Sequence, residues 1–455
     1  MCGVVGIYSN KEISKELYYS LYSMQHRGQE SCGLAVSDGK DINYKKGMGL
    51  VGDIFTEKEL KKLTGTMGIG HVRYSTAGGS HLANCQPLVG SCRKRKLALA
   101  HNGNLVNANY LKDMLEEDGY MFQANSDTEV ILYILARYYK GDIVESLKLT
   151  MDYIKGAYSL VIMGEEELVA VRDPHGFRPI VLGKRGDDFI FASENAAIDI
   201  LGGEVIRDVE PGEIIVVKDG EMKSYHYSEN YKPLKKSCIF EHIYFARNDA
   251  TIDKVNAYDF RIKCGEMLYK NDSIKADIVV PVPDSGWPGA IGYSNISGVP
   301  LTEGLVKNRY IGRTFIKPTQ EEREIGVKIK LNPLSSIVKG KSVVLVDDSI
   351  VRGTTSKLII KSLRDAGASE IHLRITSPPV KYSCYYGIDT PKRSNLIASQ
   401  NSIEEIKDYI GCDSLEFLSI EGMLEATENK STFCKACFDG EYPVKKIDRE
   451  ELLSC

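Results

Sequence analysis

The sequence predicts two domains, a largely β domain with a few helices followed by an α/β domain. A chain of 455 residues is too long for one ordinary hydrophobic core. Its first half has short alternating apolar runs between Gly-rich turns, whereas its second half alternates apolar runs with helical stretches. The pattern changes at the polar, Pro-containing segment 231–236, so we place the domains at residues 1–231 and 232–455.

Three apolar runs in the first domain have the length and the composition of strands. They cover residues 97–100, 158–163 and 214–217. A helix is predicted to begin after Ser126, because a capping serine and the acidic residues Asp127 and Glu129 precede an apolar run.

The second domain shows the alternation of a parallel sheet. Apolar runs at residues 278–282, 343–346 and 371–375 are predicted strands, and residues 357–366 have a helical pattern between two of them. Strands that alternate with helices indicate βαβ units and therefore an α/β fold. The last segment, which carries Cys434 and Cys437, is predicted to be an appended tail.

Charge and composition exclude several kinds of partner. The chain has 58 Lys and Arg against 62 Asp and Glu, a net charge of −4, so no broad basic field favours nucleic acid or an anionic membrane. No apolar run approaches the ~18 residues of a membrane span, and the N-terminus does not have the pattern of a signal peptide. We therefore expect a cytoplasmic protein whose eleven cysteines are thiols or metal ligands rather than disulfides.

The second residue, Cys2, is a candidate nucleophile. If Met1 is removed, a free α-amino group lies on the same residue as the thiol, and its ordinary pKa of about 7.7–8.0 suits proton transfer near neutrality. Acyl transfer through a thioester is then feasible. The sequence encodes no propeptide before Cys2, so we expect removal of Met1 alone to expose the nucleophile. The alternative is a small buried residue in the first strand.

Further residues of the first domain fit an amino-acid amide substrate. Arg73 can bind a carboxylate through two N–H groups, and Asp127 can pair with an ammonium. Asn102 and Gly103 follow a predicted strand and offer a side-chain amide and a backbone N–H to an oxyanion. Alternatively, Arg73 forms a surface ion pair and Asn102-Gly103 a hairpin turn.

A sugar-phosphate site is expected in the second domain. An apolar strand at residues 343–346 is followed by Asp347 and Asp348 and by a hydroxyl-rich turn that leads into a helix. Backbone N–H and hydroxyl groups at a helix N-terminus bind phosphate, while paired carboxylates bind ribose hydroxyls and a divalent cation. The strand at 278–282 runs into Asp284-Ser285-Gly286, where a pyrophosphate could bind.

The first domain resembles the N-terminal-nucleophile glutaminases, an α+β fold of layered sheets with helices. The matching motifs are residues 2–7 (CGVVGI), residues 26–31 (HRGQES), Arg73 with Thr76, Asn102-Gly103 and Ser126-Asp127. The resemblance implies that Cys2 attacks the glutamine amide and that Asn102 and Gly103 form the oxyanion hole. It also implies that Arg73, Thr76 and Asp127 hold the amino-acid end of glutamine.

The second domain resembles the type I phosphoribosyltransferases, and the combination of both domains resembles the amidophosphoribosyltransferase family. That resemblance implies conversion of phosphoribosyl pyrophosphate (PRPP), glutamine and water to 5-phosphoribosylamine, glutamate and pyrophosphate, the first step of purine biosynthesis, with ammonia channelled between two sites. The implied PRPP-binding residues are Asp284, Ser285, Gly286, Arg309, Asp347, Asp348, Ser349, Ile350, Val351, Arg352, Gly353, Thr354 and Thr355.

The same resemblance implies a cation, a lid and an assembly. Ser285, Asp347 and Asp348 would hold one Mg²⁺ per subunit. The basic segment 307–315, which contains Arg309, would close over PRPP. A homotetramer and feedback inhibition by purine nucleotides are also implied.

Cys434 and Cys437 have the spacing of metal ligands, and the spacing alone allows either zinc or an iron–sulfur cluster. One branch of the family binds a [4Fe–4S] cluster in sequence contexts similar to those of Cys238, Cys384, Cys434 and Cys437. The resemblance therefore implies one cluster per subunit, with a structural or oxygen-sensing role rather than a catalytic one.

Two other kinds of function compete with this interpretation. A regulator could bind PRPP through residues 347–355 without catalysis, although the complete glutaminase set would then have no use. Another glutamine-fed synthase is the second alternative. Asparagine synthetase would need a Ser-Gly-Gly-x-Asp-Ser loop, and the sequence has none.

Overall fold

The computed structural model describes residues 1–74, 79–228, 231, 234–270, 272, 274–308, 331–428 and 433–445. Two residues predicted to bind substrates, Thr76 and Arg309, lie outside these ranges, as does most of the predicted lid. Among the described residues, no helix is both long enough and apolar enough to cross a bilayer.

The first domain contains two antiparallel sheets. The first sheet has the order β11-β9-β10-β1-β4-β2-β3, with β1 Gly3–Tyr8, β2 Ser31–Ser37, β3 Ile42–Met48, β4 Met67–Arg73, β9 Val181–Arg185, β10 Asp188–Ala192 and β11 Glu204–Asp208. The second has the order β13-β12-β8-β7-β6-β5, with β5 Leu88–Cys92, β6 Arg95–Leu105, β7 Gly156–Met163, β8 Glu167–Arg172, β12 Glu213–Lys218 and β13 Glu221–His226. The three predicted strands are β6, β7 and β12.

The sheets stack on each other and are covered by helices on their outer faces. All eight residues of β7 are buried. Leu160 and Ile162 join the core beneath the outer helices, whereas Val161 and Met163 join the core between the sheets. This alternation is what a strand buried on both faces requires. The layered α+β arrangement agrees with the predicted fold class.

The helices of the first domain flank this stack. They are Ser14–Ser23, Val51–Ile54, Glu57–Leu60, Ala108–Glu117, Asp127–Tyr138, Ile143–Tyr153 and Ala196–Asp199, with 3₁₀ turns Gln25–Arg27 and Leu82–Asn84. The predicted helix begins where the sequence indicated, because the Ser126 side chain accepts a hydrogen bond from the Thr128 N–H.

The second domain is built on a parallel sheet of order β17-β20-β21-β22. Its strands are β17 Ile278–Pro281, β20 Ser342–Asp347, β21 Glu370–Ile375 and β22 Ser414–Phe417. The described helices are Ala257–Lys270, Trp287–Ser297, Ser335–Val338, Thr354–Asp365, Ile397–Gln400, Ile403–Ile410, Ile420–Ala426 and Ala436–Asp439, with a 3₁₀ turn Arg393–Asn395. The predicted parallel α/β arrangement is confirmed.

Short paired strands complete the second domain and connect the tail to the domain junction. Antiparallel pairs are formed by β15 Thr251–Ile252 with β16 Val255–Asn256 and by β18 Leu305–Lys307 with β19 Leu331–Pro333. A parallel pair joins β14 Ser237–Cys238 to β23 Phe433–Cys434, so the tail packs beside the start of the second domain. A single π-helical turn, Glu241–Phe245, follows β14.

Candidate active site

Cys2 lies directly before β1, a strand in the middle of the first sheet. Its Sγ is 3.6 Å from the Tyr74 carbonyl oxygen, and its own carbonyl accepts a 2.9 Å hydrogen bond from Arg27 Nε. Met1 is 1% exposed and packs in an apolar cluster with Ile239 and Phe438 of the second domain. Burial lowers the pKa of the Met1 α-amino group to about 5. The candidate nucleophile is thus placed at the junction of the domains.

Asn102 and Gly103 lie near the end of β6. Asn102 is 1% exposed, yet neither its Nδ2 nor its Oδ1 makes a hydrogen bond within the described part of the chain. Leaving a buried amide unpaired costs about 1–3 kcal/mol, which indicates a group reserved for a ligand. A Cβ on Gly103 would lie 2.0 Å from the Ala157 carbonyl oxygen of β7, so only glycine fits there. These features suit an oxyanion hole.

Two histidines connect this strand to β4 and to Asp127. His71 Nε2 lies 3.1 Å from the His101 carbonyl oxygen, and burial lowers the pKa of His71 to about 3, so its ring is neutral. His101 Nδ1 is 3.6 Å from Asp127 Oδ1, while Asp127 Oδ2 accepts a 3.0 Å bond from the Leu105 N–H. Burial alone would raise the pKa of Asp127, but His101 and the backbone donors lower it. Asp127 is therefore an anion beside the strand that carries Asn102.

Arg73 is 4% exposed at the end of β4 and forms an ion pair with Glu30. The same nitrogen, Nη1, donates to the Gly79 carbonyl oxygen at 3.0 Å. The sequence allowed Arg73 either a substrate carboxylate or a surface ion pair as its partner and did not identify Glu30. The ion pair in the structure is nearly buried. The sequence does contain a signal for this partner, because Glu30 lies in the 26–31 motif that resembles the glutaminases.

The phosphoribosyl loops meet at the carboxyl ends of β17 and β20. The Val282 N–H donates to the Val346 carbonyl oxygen at 2.8 Å, which holds the Asp284-Ser285-Gly286 turn beside Asp347. In an open α/β sheet, ligands bind in this position.

The loop between β20 and the helix Thr354–Asp365 has a buried side and an exposed side. Ile350 is 2% exposed, and the Val351 carbonyl oxygen accepts a 3.0 Å bond from the Ile397 N–H. Arg352, Thr354 and Thr355 are exposed. Ile350 and Val351 therefore anchor the loop, and any phosphate contact of theirs would use backbone N–H groups.

Asp347 and Asp348 form a pair of neighbouring carboxylates. Burial raises the pKa of both, and the Asp348 charge raises that of Asp347 further. Ser349 donates a hydrogen bond to Asp348. Asp284 stands apart from this pair, because it is exposed and forms an ion pair with Lys307.

Four cysteines from separate parts of the chain line one small apolar cavity at the junction. Its lining residues are Cys238, Cys384, Tyr386, Ile388, Cys434, Ala436, Cys437 and Tyr442. Cys238 and Cys434 lie opposite each other in the β14–β23 pair. Burial raises the pKa of Cys238 to about 11 and raises that of Cys434 and Cys437 further. Within the described ranges, no three His, Cys, Asp or Glu side chains form a site for a single metal ion.

A buried ionic network, not predicted from the sequence, joins the two domains behind Cys2. Arg27 binds Glu241 through 3.0 and 3.1 Å contacts and also pairs with Glu194. Arg178 Nη1 lies 3.4 Å from Glu241 Oε1. These four side chains are at most 1% exposed. Since Arg27 also binds the Cys2 carbonyl, the network connects the nucleophile to the first turn of the second domain.

Comparisons with known proteins identify one known domain family in each half of the chain. A model of the glutamine amidotransferase domain matches residues 71–199, and one of the phosphoribosyl transferase domain matches residues 259–377. The amidophosphoribosyltransferase of Methanothermobacter thermautotrophicus is 49% identical over 448 residues, 97% of this chain and 94% of the relative. That of Bacillus subtilis is 46% identical over 450 residues, 98% and 94% of the two chains.

The whole chain also matches a solved structure. The glutamine PRPP amidotransferase of B. subtilis, complexed with ADP and GMP, superposes with a TM-score of 0.93 at 45% identity over 98% of both chains. The fold and the two sites thus define a glutamine amidotransferase joined to a phosphoribosyltransferase. With near full-length identity to its relatives, the chain belongs to the amidophosphoribosyltransferase family. It is an enzyme of the pentosyl-transferring class, and neither alternative function gains support from the comparisons.

Proposed function

We propose that the protein forms 5-phosphoribosylamine from PRPP and glutamine through two coupled sites, the first step of purine biosynthesis. The observation that carries the proposal is the presence in one chain of two features. One is the buried Asn102 amide in the domain of Cys2, which has no hydrogen bond within the described residues, and the other is the Asp347–Asp348 loop of a phosphoribosyl site. Family membership supports it over the full length.

In the first site, the Cys2 sulfur attacks the amide carbon of glutamine. A C–S bond forms, and the carbonyl oxygen gains negative charge that the Asn102 amide and the Gly103 N–H stabilise. The C–N bond then breaks, and ammonia leaves with the proton that the thiol gave to the α-amino group of Cys2. Water hydrolyses the thioester to glutamate and regenerates the thiol. Arg73 and Asp127 hold the α-carboxylate and the α-ammonium of the substrate, with Thr76 as a further partner.

In the second site, ammonia attacks the anomeric carbon of PRPP, and the bond to the pyrophosphate oxygen breaks. The backbone and hydroxyl groups of residues 349–355 hold the 5′-phosphate, and the turn of Asp284-Ser285-Gly286 holds the pyrophosphate. Asp347 and Asp348 bind the ribose hydroxyls. Arg309 lies outside the described residues; for it the family resemblance implies a lid that closes over PRPP and keeps ammonia from water.

The Asp347–Asp348 pair also fits one Mg²⁺ ion. Two neighbouring carboxylates that repel each other in a buried position are stabilised by a divalent cation, and Mg²⁺ completes its shell with substrate oxygens and water. Ser285 is the third protein partner in this proposal. When bound, the ion neutralises charge on the leaving pyrophosphate.

The cysteine-lined cavity fits a [4Fe–4S] cluster. Four thiols converge on one apolar cavity although they come from three separate segments. Burial disfavours ionisation of the Cys238, Cys434 and Cys437 thiols unless a metal is present. In a cluster each cysteine binds a different iron, so the sulfurs need not converge as they would around one ion. Cys238, Cys384, Cys434 and Cys437 would then cross-link the tail to the domain junction.

Assembly, inhibition and location complete the proposal. The solved B. subtilis relative is complexed with ADP and GMP, which supports binding of purine nucleotides as feedback inhibitors here. Family membership supports a homotetramer in the cytoplasm.

The first experiment measures glutamate and pyrophosphate release from anaerobically prepared protein, with and without PRPP and Mg²⁺. We expect equal release of both products that requires PRPP. Cys2→Ala should abolish activity with glutamine but keep phosphoribosylamine formation from ammonia, because only the first site uses the thiol. Cys92→Ala, which removes a half-buried thiol of β5, is the matched control and should retain both activities. Glutamate release without pyrophosphate would refute the assignment of PRPP.

A further inference from the structure

A loop of the second domain, residues 385–387, contacts the strand end that carries the candidate oxyanion hole. A Cβ added to Gly387 would lie 2.9 Å from both the carbonyl carbon and the carbonyl oxygen of Gly103. Asn104 Nδ2 donates a 2.9 Å hydrogen bond to the Tyr385 carbonyl oxygen. Two consecutive residues at the end of β6 therefore rest on this loop.

The 385–387 loop is itself held from several sides. Arg178 Nε donates a 2.7 Å hydrogen bond to the Tyr386 carbonyl oxygen. The Tyr386 ring stacks on Phe177, with centroids 4.2 Å apart and planes at 17°. Its hydroxyl donates to the Val444 carbonyl oxygen at 2.6 Å and accepts from the Val444 N–H at 2.9 Å. With Tyr386 only 2% exposed, the loop is fixed between the first domain and the tail.

We propose that the 385–387 loop is a positioning element for glutamine hydrolysis: it holds the Gly103–Asn104 backbone so that the oxyanion donors point at the reacting carbonyl. The inference rests on the proposed function of Cys2, Asn102 and Gly103. An oxyanion hole acts through donors that are in place before charge develops, so a small displacement of the strand weakens it. The glutaminase site is therefore incomplete without the second domain.

The contacts explain why the end of β6 needs support from outside its own sheet. The Asn102 side chain has no hydrogen bond of its own within the described residues that would fix it. Leu105 is bound on one side by Asp127. Asn104, between these two positions, reaches across to Tyr385. β7 pairs with Gly103 and Asn104, but β5 pairs with β6 only as far as Leu99, so the loop adds a contact where β5 gives none.

The test uses Gly387→Ala, with Gly411→Ala as its matched control. Gly387 has φ +98 and a crowded Cβ position, whereas Gly411 has φ +82 and nothing within 4 Å of its Cβ. Both substitutions carry the backbone strain of a positive φ, but only the first pushes against Gly103. We expect G387A to lower kcat for glutamine by about 10- to 100-fold, with KM changed by less than about twofold. G411A should keep the wild-type kcat.

Two further measurements distinguish a displaced oxyanion hole from a general loss of structure in G387A. Phosphoribosylamine formation from ammonia and PRPP bypasses the oxyanion hole and should persist in G387A. A diazoketone analogue of glutamine, whose carbonyl oxygen occupies the oxyanion hole, should label Cys2 more slowly in G387A, while iodoacetamide alkylates it at the wild-type rate.

Asn104→Ala is the second variant, because it removes the bond to Tyr385 without adding volume. It should also lower kcat for glutamine, but by a smaller factor than G387A does. An unchanged glutamine kcat in G387A overturns the proposal. If G387A loses the activity with glutamine and the activity with ammonia together, N104A decides. An unchanged kcat for glutamine in N104A would then overturn the proposal. Wild-type protein that releases no glutamate would instead refute the proposed function, so the two failures are distinguishable.

Discussion

Arg73 lies nearly buried beside the nucleophile, with Glu30 as its ionic partner. A guanidinium has five N–H donors in a planar fork, so it can bind a substrate carboxylate in addition to Glu30. In the proposed glutamine site, Glu30 would orient the guanidinium, and the substrate carboxylate would be its second anion. A lysine has the same charge but lacks the planar set of N–H donors. Arg73→Lys therefore tests whether the bidentate contact matters.

We expect Arg73→Lys to raise KM for glutamine by about tenfold, since the bidentate contact is lost in the ground state and in the transition state alike. Steady-state glutamate release at several glutamine concentrations measures the effect. Activity with ammonia is the internal control and should be unchanged. A fall in kcat at constant KM would contradict a binding role for Arg73.

The local motifs made the chemistry of single residues predictable, but not their partners. Cys2, Asn102 and Asp127 stand in short sequence patterns, so their proposed roles could be inferred before the fold. Tyr386, by contrast, lies in the sequence context of the predicted ligand Cys384, and that context predicts no contact of its ring. Its position against Phe177 depends on how two domains pack, and contacts between residues 209 positions apart cannot be seen in a local motif.

At the scale of elements, strand periodicity identified β7 and β20 correctly because buried strands have apolar runs of a characteristic length. The buried ionic network of the junction could not be predicted in the same way. No local pattern predicts partners for Arg27, Glu194 and Glu241, although Arg27 lies in the 26–31 motif. Only the packing of the π-helical turn Glu241–Phe245 on the first domain buries them together.

Glu194 provides a test of this network. Burial alone would raise its pKa, but Arg27 and His26 outweigh burial and lower the pKa to about 2, from an ordinary value of 4.5. A carboxyl group with a lowered folded-state pKa stabilises the fold above its unfolded pKa and loses that effect as pH falls through the folded pKa. The contribution is therefore complete above about pH 5 and declines towards pH 2.

We expect Glu194→Gln to lower Tm by roughly 6 °C at pH 7, because a buried arginine loses an ionic partner. The difference from wild type should shrink as the pH is lowered from 5 to 3. Thermal unfolding followed by fluorescence across this range measures it. Glu116→Gln, at an exposed pair with Lys112, is the control and should leave Tm within about 1 °C. A difference independent of pH would argue against an ionised Glu194.

At the scale of the whole molecule, the tail, the domain junction and the 385–387 loop meet around the cysteine-lined cavity. The spacing of Cys434 and Cys437 indicated a metal site, whereas the inclusion of Cys238 and Cys384 came from family resemblance. Their convergence in space is a property of the fold that no spacing rule gives. A cluster there would hold together the elements that support the oxyanion strand.

We expect anaerobically prepared protein to contain about four iron and four sulfide per chain. Cys384→Ser should lower the iron content and the Tm and should make the tail at residues 433–445 accessible to protease, since one attachment to the junction is lost. Cys412→Ser replaces another buried cysteine of the second domain, away from the cavity, and should keep its iron. Iron and sulfide analysis, thermal unfolding and limited proteolysis report these outcomes without relying on activity. Stoichiometric zinc in place of iron, or a C384S variant with full iron content, would refute the cluster assignment.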